Sequence, residues 1–232
     1  MLGLGISLAR GAFASIITYV KDGLKLFYNF TEHQDNPISH ASTGSTSFVT
    51  DDYVDVGTNL DGVFGDGTTD NGFTITCWVN KPEDSSGLYG ICGKTFSDLA
   101  IRLMSNGRVQ VFLRDVGGSA YLQREPTSVI GVGWHHLTVT YDGSRTVGGI
   151  KVYGNAIAYS GGDGSSGTFN AHANTSTNFH IGSTNGGNYM DGSLANVGIW
   201  SRALSASEVQ GIMYKQYSDL GNIDKASLVS WW

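Results

Sequence analysis

The stretch Gly133-Trp-His-His-Leu-Thr-Val-Thr-Tyr-Asp-Gly143 decides how the chain folds. Its β-branched and aromatic residues favour an extended strand, and the Asp-Gly pair at its end favours a tight turn. Two further β-rich runs follow, Ile150 to Tyr153 and Ala156 to Tyr159, joined through Gly154-Asn155. We expect a type II′ turn at this junction, and therefore another hairpin.

Upstream, Phe73-Thr-Ile-Thr-Cys-Trp-Val-Asn80 alternates between two sets of residues, which is typical of a strand that packs against a core. The set assigned to the core is Phe73, Ile75, Cys77 and Val79, whereas Trp78 lies on the opposite face. The chain has only two cysteines, Cys77 and Cys92. We favour two buried free thiols over a disulfide across the intervening turn.

The clearest β-hairpin in the sequence runs from Ala100 to Leu113. Its strands flank Asn106-Gly107, and Asn-Gly adopts the positive φ angles of a type I′ turn. The side chains expected to point inward are Ile101, Leu103, Val109, Val111 and Leu113. A second hairpin is predicted from Ser15 to Phe30, around an Asp-Gly turn.

The carboxyl-terminal third adds two strands and one helix. The strands are Asn178 to Gly182 and Ser193 to Trp200. The helix begins at Ser205, because Ser205 and Glu208 have the spacing of a capping box. Its apolar stripe is Val209, Ile212 and Met213. Short strands separated by turns along the whole chain predict an all-β sandwich, with this helix packed on a sheet edge.

Composition narrows the classes of partner. At 232 residues the chain is long enough for one all-β domain with a full core. Only 15% of residues are charged and the net charge is −6, so there is no basic face for nucleic acid. No apolar run approaches the roughly 20 residues that span a bilayer. We expect a soluble protein that binds neither nucleic acid nor membrane.

The chain divides into an arm or strand for assembly at residues 1–22, a β-sandwich at 23–218 and a tail strand at 219–232. The amino-terminal end contains an Ala-x-Ala sequence at Ala12 to Ala14. No basic region precedes it, and Arg10 interrupts its apolar run. We therefore interpret it as an ordered or partner-bound arm rather than as a signal peptide.

Several of these segments match one family in the same order. Gly133 to Gly143 resembles the GWHHVALTYDG strand of laminin-G-like domains with the concanavalin A-like fold, and Asp51-Asp-Tyr-Val-Asp-Val-Gly57 resembles their DDYVDLG strand. Tyr189 to Leu194 and Ile199 to Ser205 resemble the strands that close those domains. The resemblance implies an antiparallel jelly-roll β-sandwich with one short carboxyl-terminal helix.

The resemblance implies binding and leaves the ligand open. Such modules occur in sugar-binding proteins, adhesins, appendages of hydrolases and phage virion proteins. The glycine-rich arm and the lack of an attached catalytic domain are most similar to a phage virion structural protein, either a head decoration or a tail fibre component. We expect a non-enzymatic virion protein that assembles through its termini with copies of itself and other virion proteins. The alternative is a carbohydrate-binding adhesin for host surface glycans.

A glycan hydrolase is the least expected function. Retaining glycosidases need two carboxylates about 5 to 5.5 Å apart, which on a strand requires acids at i and i+2 or i+4. The glutamates are Glu32, Glu83, Glu125 and Glu208, and none has a carboxylate so placed within a strand. The adjacent His135 and His136 point to opposite faces of a strand and cannot bind one metal ion together.

The resemblance also implies two kinds of candidate site. Many similar modules bind one Ca²⁺ through Asp, Asn and backbone oxygens, and Asp51, Asp52 and Asp191 match by motif. Against calcium, the family's Asp-Glu pair is replaced here by Ala195 and Asn196. No cofactor is assigned, and calcium stays an alternative. A sugar site needs an exposed aromatic platform, for which the candidates are Trp78, Tyr121, Tyr141 and Tyr189.

The carboxyl-terminal tail, Ala226-Ser-Leu-Val-Ser-Trp-Trp232, resembles the family's opening strand. Two tryptophans bury on the order of 400 Å² together, which is too much apolar surface to leave in water. We predict that Leu228 to Trp232 pairs with a sheet edge or packs against a neighbouring subunit. The interface residues would be Leu228, Trp231 and Trp232, with the two indoles on opposite sides of the strand.

Overall fold

The computed structural model describes residues 44–81, 87–95, 97–184 and 187–232. The chain divides into two compact units, Met1–Pro37 and Ile38–Trp232, and all described residues belong to the second. These residues form antiparallel sheets and one α-helix, which confirms the predicted jelly-roll β-sandwich. The amino-terminal arm, its predicted hairpin, Glu32 and Glu83 lie outside the described part of the chain.

The strands are numbered along the chain. They are β1 Thr46–Phe48, β2 Val54–Gly57, β3 Phe73–Lys81, β4 Tyr89–Gly93, β5 Leu99–Leu103, β6 Val109–Arg114, β7 Tyr121–Arg124, β8 Gly133–Tyr141, β9 Ile150–Gly154, β10 Ile157–Tyr159, β11 Asp163–Ser166, β12 Phe179–Ile181, β13 Ser183–Thr184, β14 Gly187–Tyr189, β15 Gly192–Trp200 and β16 Leu228–Trp231. The α-helix, α1, spans Ala206–Ile212, and short 3-10 helices span Val147–Gly149 and Tyr217–Asp219. Within the described residues, no helix has the length and hydropathy of a membrane span.

Two sheets form the sandwich. The first has the strand order β1-β15-β3-β8-β9-β10, and β16 also pairs with β15. The second has the order β11-β7-β6-β5-β4-β12-β2, while β13 and β14 form a separate ladder. Strands far apart in the sequence are neighbours in both sheets, so long-range pairing fixes the architecture.

The ladder between β3 and β8 is the centre of the first sheet. It runs without a register shift from the pair Phe73 and Tyr141 to the pair Lys81 and Gly133. As predicted, alternate residues of β3 lie in the main core between the sheets: Phe73, Ile75, Cys77 and Val79. The two cysteines are buried and free, as favoured, and burial raises the pKa of the Cys77 thiol to about 12.

The outward face of the first sheet is covered as well. Trp200 and Tyr153 pack against Val209 and Ile212 of α1, and Trp78 packs against Met213 just after it. The predicted capping box is present at Ser205. The helix therefore lies over the face of the sheet rather than on its edge, because these large side chains offer an apolar surface there.

Both predicted turns form hairpins, but their types differ from expectation. In the first, Gly107 N donates to Met104 O at 2.8 Å, and Gly107 has a positive φ whereas Asn106 does not. In the second, the loop residues are Asn155 and Ala156, both with positive φ, which gives a type I′ turn. Contacts with β8 hold Asn155 there, since its Oδ1 accepts a hydrogen bond from His136 N at 2.9 Å.

The carboxyl-terminal tail completes the first sheet. β16 pairs with β15 of the same chain, so the predicted pairing with a sheet edge occurs within the domain. Trp231 packs edge-to-face on Trp200, with ring centres 5.9 Å apart, and Leu228 joins the same cluster. These two residues are therefore part of the fold. Trp232 lines a cavity with Phe48 and stays 42% exposed.

Gly198 is the residue that lets the two indoles meet. A Cβ at this position would lie 2.7 Å from the Trp231 ring and 2.8 Å from the Trp200 ring. We expect Gly198→Ala to lower the free energy of unfolding by about 1–3 kcal/mol, because both rings must move. Gly211→Ala is the control, since its Cβ meets nothing within 4 Å in α1. It should raise stability by up to about 1 kcal/mol. Equal urea midpoints would contradict this account.

His136 makes stability depend on pH. Its ring is buried beside Trp78, and its Nε2 lies 2.8 Å from Thr76 Oγ1. Burial lowers its pKa to about 3, so the unfolded chain binds a proton below about pH 6.5 that the folded chain does not. Stability is therefore lost as the pH falls below that point, by roughly 1.4 kcal/mol per pH unit from this group.

The measurement is urea unfolding at about pH 7 and about pH 5. The free energy of unfolding of His136→Gln should depend less on pH than that of the wild type, by the equivalent of about one bound proton. His135→Gln, at the half-buried neighbouring position, should change it less. An unaltered pH dependence in His136→Gln would show that other groups carry the effect.

Candidate functional site

Three aromatic rings from separate segments of the chain meet at one edge of the second sheet. Tyr53 stacks on His180, with ring centres 4.2 Å apart and planes inclined by 16°. Tyr189 lies 6.1 Å from Tyr53 at 32°. Tyr53 is 45% exposed and Tyr189 is half-buried, while His180 is buried beneath them. The rings form an open platform, which we call the Tyr53 platform.

Strand pairing brings these rings together. His180 lies in β12, between β4 and β2, and it pairs in register with Asp55 of β2. Directly opposed residues of an antiparallel pair project on the same face, so the imidazole and the carboxylate share a face. Tyr53 immediately precedes β2, and Tyr189 ends β14.

Asp55 is oriented by hydrogen bonds that leave it ionised. Its Oδ1 accepts from Gly57 N at 2.8 Å and its Oδ2 from Asn178 Nδ2 at 2.9 Å. These two bonds lower the pKa of the carboxyl group. Burial lowers the pKa of His180, and nearby Asp55 only partly offsets this effect. At neutral pH the platform therefore has a carboxylate beside an uncharged imidazole.

Several polar groups of the platform have no hydrogen-bond partner among the residues that the structure describes. Among the described residues, no group hydrogen-bonds to the hydroxyl of Tyr53 or Tyr189. His180 Nδ1 is buried and also unpaired. A carboxylate that accepts two hydrogen bonds retains lone pairs for two more. The site can therefore offer hydrogen bonds and an aromatic face to the same ligand.

Buried charges hold the loop that leads into β12. Lys94, Asp98 and His172 are each at most 1% exposed. Lys94 Nζ donates to the Thr175 carbonyl oxygen at 2.7 Å and to Asp61 Oδ1. Asp98 Oδ2 accepts from the amide and the hydroxyl of Thr175 at 2.9 and 2.6 Å. His172 Nε2 lies 3.0 Å from Asp98 Oδ1. Together these contacts tie the loop to the buried charges.

Two more carboxylates fasten the same loop. Asp70 Oδ1 accepts from His172 N at 2.7 Å, and Tyr141 donates its hydroxyl to Asp70 Oδ2 at 2.7 Å. Asp115 Oδ1 accepts from Asn170 N at 2.6 Å and from Ala171 N at 3.2 Å. Burial raises the pKa of Asp115, but the backbone amides lower it further, so the net pKa is lowered. The start of β12 is thus fixed in position.

Replacing Asp98 tests this support. We expect Asp98→Asn to lower the free energy of unfolding by about 3–5 kcal/mol, because Lys94 would lose a buried partner. Asp163→Asn is the control: Asp163 is 54% exposed and pairs with Arg124, so the loss should stay within about 1 kcal/mol. Urea denaturation compares the two variants, and similar losses would show that the buried charges are not what holds the loop.

The structure separates the predicted aromatic candidates. Trp78 and Tyr141 are fully buried, so they cannot present a ring face to a sugar, and we correct that expectation. Trp78 donates its Nε1–H to Met213 O at 3.0 Å, whereas Tyr141 binds Asp70. Tyr121 stacks on Phe112 with ring centres 5.0 Å apart. It lies on β7, with three strands between it and β12, so only Tyr189 belongs to the platform.

The side chains of the candidate calcium ligands are not grouped together in the described part of the chain. In the described residues, no three His, Cys, Asp or Glu side chains come together in a group that could hold an ion, and Asp51, Asp52 and Asp191 are no exception. All three are exposed. Asp52 Oδ2 instead accepts a hydrogen bond from Val49 N at 3.1 Å, which closes a turn.

The two described glutamates have structural partners. Glu125 forms an ion pair with Arg108 at 3.0 Å and accepts from Gln110 Nε2 at 2.9 Å. Glu208 caps α1 and pairs with Arg202 at 2.7 Å. Each of these carboxylates therefore has an arginine beside it. The general acid of a glycosidase instead needs surroundings that favour its protonated form.

Sequence reasoning missed Tyr53, Asp55, Asn178 and His180. One signal was present for His180, because it lies between the apolar residues Phe179 and Ile181 in a predicted strand. Alternation places His180 on the opposite face of its strand. No local pattern, however, indicates that this face meets Tyr53.

Comparisons with known proteins agree with the fold. A solved structure of a candidate carbohydrate binding protein from Bacteroides ovatus ATCC 8483 is 18% identical, with a TM-score of 0.54 over 81% of this chain and 50% of that protein. Domain 4 of the GH43 extracellular arabinanase AbnA from Geobacillus stearothermophilus, in complex with arabinotriose, is 18% identical, with a TM-score of 0.46 over 69% and 72%. Trypanosoma rangeli sialidase in complex with sialic acid is 17% identical, with a TM-score of 0.46 over 62% and 23%.

The chain thus spans about half the length of the Bacteroides protein. No curated protein sequence matches the chain. The family model Laminin_G_3, described as the concanavalin A-like lectin/glucanases superfamily, matches residues 18–210. Because that match covers most of the sequence, the chain belongs to the concanavalin A-like lectin/glucanases superfamily.

Proposed function

We propose that this protein binds carbohydrate at the Tyr53 platform. The observation that carries the proposal is the exposed ring of Tyr53, stacked on His180 and flanked by Tyr189, with an oriented carboxylate beside it. Sugar rings have one apolar face of C–H groups and a rim of hydroxyls. An aromatic face with a few placed polar groups matches both features.

Each group of the platform has a distinct part in this binding. The ring of Tyr53 packs against the C–H face of a sugar, and His180 below it keeps the ring from rotating away. Asp55 accepts hydrogen bonds from sugar hydroxyls, and such bonds to a charged acceptor are stronger than neutral ones. The hydroxyls of Tyr53 and Tyr189 donate or accept at the rim.

The described carboxylates support binding of carbohydrate without its hydrolysis. Glu125 and Glu208 pair with arginines, and Asp55, the carboxylate that pairs in register with His180, has a lowered pKa. A general acid needs a raised pKa instead. The similar solved structures include hydrolases as well as a candidate binding protein, so the proposal rests on these residues rather than on likeness.

The narrower role as a phage virion component stays a prediction. Its support is the sequence resemblance and the glycine-rich arm, and the predicted arm lies outside the described residues. The tail strand pairs within its own sheet, and of the three predicted interface residues Trp232, at 42% exposure, is the exposed one. Identification of the chains next to this protein in a particle would test the role.

Tyr53→Ala tests the proposed sugar site. It should weaken binding of glycans by about tenfold or more, because it removes the exposed face of the platform. Tyr217→Ala is the control, since Tyr217 is 54% exposed and its ring contacts Lys225. A glycan array followed by calorimetry with the strongest ligand gives the two affinities. Equal affinity in Tyr53→Ala and the wild-type protein would place the sugar site elsewhere.

A further inference from the structure

Four aspartates belong to the Tyr53 platform or lie within two positions of its rings in the sequence. Two acids immediately precede Tyr53, a third pairs in register with His180, and a fourth follows Tyr189 by two positions. They are Asp51, Asp52, Asp55 and Asp191, and all four are exposed.

In the described part of the chain, the contacts of the platform include no lysine or arginine: no hydrogen bond, ion pair or ring contact of Tyr53, Tyr189 or Asp55 involves either. Lys94 follows the end of β4, the strand beside β12, but its ammonium group is buried and bound to Asp61 and Thr175. The imidazole of His180 is neutral at pH 7, because burial lowers its pKa.

An anionic ligand at this place would meet like charges. Sialic acids, uronic acids and sulfated sugars each bring a negative group, and lectins or enzymes that hold them supply a cation or a fork of donors to it. Among the described residues, the charged side chains that neighbour the platform rings in the sequence are the carboxylates of Asp51, Asp52, Asp55 and Asp191. Uncharged sugars meet no such penalty, and their hydroxyls donate to Asp55.

We propose that the Tyr53 platform selects uncharged sugars and rejects glycans that carry a carboxylate or sulfate at the bound residue. This inference rests on the proposed function and adds the class of ligand to it. Exposed charges interact by modest amounts in water, so we expect a discrimination of about tenfold from the four acids together. The discrimination should weaken at high salt, which screens exposed charges.

The test compares pairs of probes that differ by one charge: lactose with sialyllactose, cellobiose with cellobiouronic acid, and N-acetyllactosamine with its sulfated form. The protein is the full chain, as the wild type and as the double variant Asp51→Asn and Asp191→Asn. These substitutions remove two rim charges without touching the rings or Asp55. Asp163→Asn, at the opposite edge of the second sheet, is the matched control.

We expect the neutral member of a pair to bind about tenfold more tightly to the wild-type protein. The double variant should bind the anionic member several-fold more tightly than the wild type, with neutral binding unchanged, whereas Asp163→Asn should change neither. Anionic probes that bind as tightly as neutral ones, and lose binding in Tyr53→Ala, would overturn the charge selection and leave the sugar site standing. Binding of neither class of probe would overturn both.

Discussion

Buried charge at the end of the sandwich is the constraint on which the candidate site depends. Lys94 and Asp98 have almost no contact with water, and an unpaired charge in such a place costs several kcal/mol. Both are satisfied by the same short piece of loop around Thr175. A rearrangement of the loop would remove hydrogen bonds from both buried charges. An irregular segment rich in Gly, Ser and Asn therefore acquires a single geometry.

The position of the platform follows from that geometry. The loop ends at Asn178, whose amide binds Asp55, and β12 begins at the next residue. Once β12 lies between β4 and β2, its register sets His180 beside Asp55 and beneath Tyr53. Buried charges thus fix the loop, the loop fixes the register of β12, and that register places His180 beneath the exposed ring of Tyr53.

The sequence predicts what depends on local geometry. The period of two in β3 identified its core face, and the Ser205 to Glu208 spacing located α1, because strand pleat and helix capping involve near neighbours only. Alternation says nothing about whether the second face of a strand is covered. Trp78 was therefore proposed as an exposed platform, although the distant α1 region buries it. The type of the turn at Asn155 depends likewise on a contact with His136 in another strand.

The Tyr53 platform lay beyond such reasoning because its rings come from β12, β14 and the residue before β2. Its openness also limits what it can do. Enclosed pockets surround most of a ligand, whereas a platform contacts one face and leaves the other in water. The free energy per site is correspondingly small, and useful affinity then requires several sites that reach one surface together. A glycan-binding role for this domain is thus physically coupled to the number of copies displayed, which gives the predicted self-assembly a direct consequence for binding.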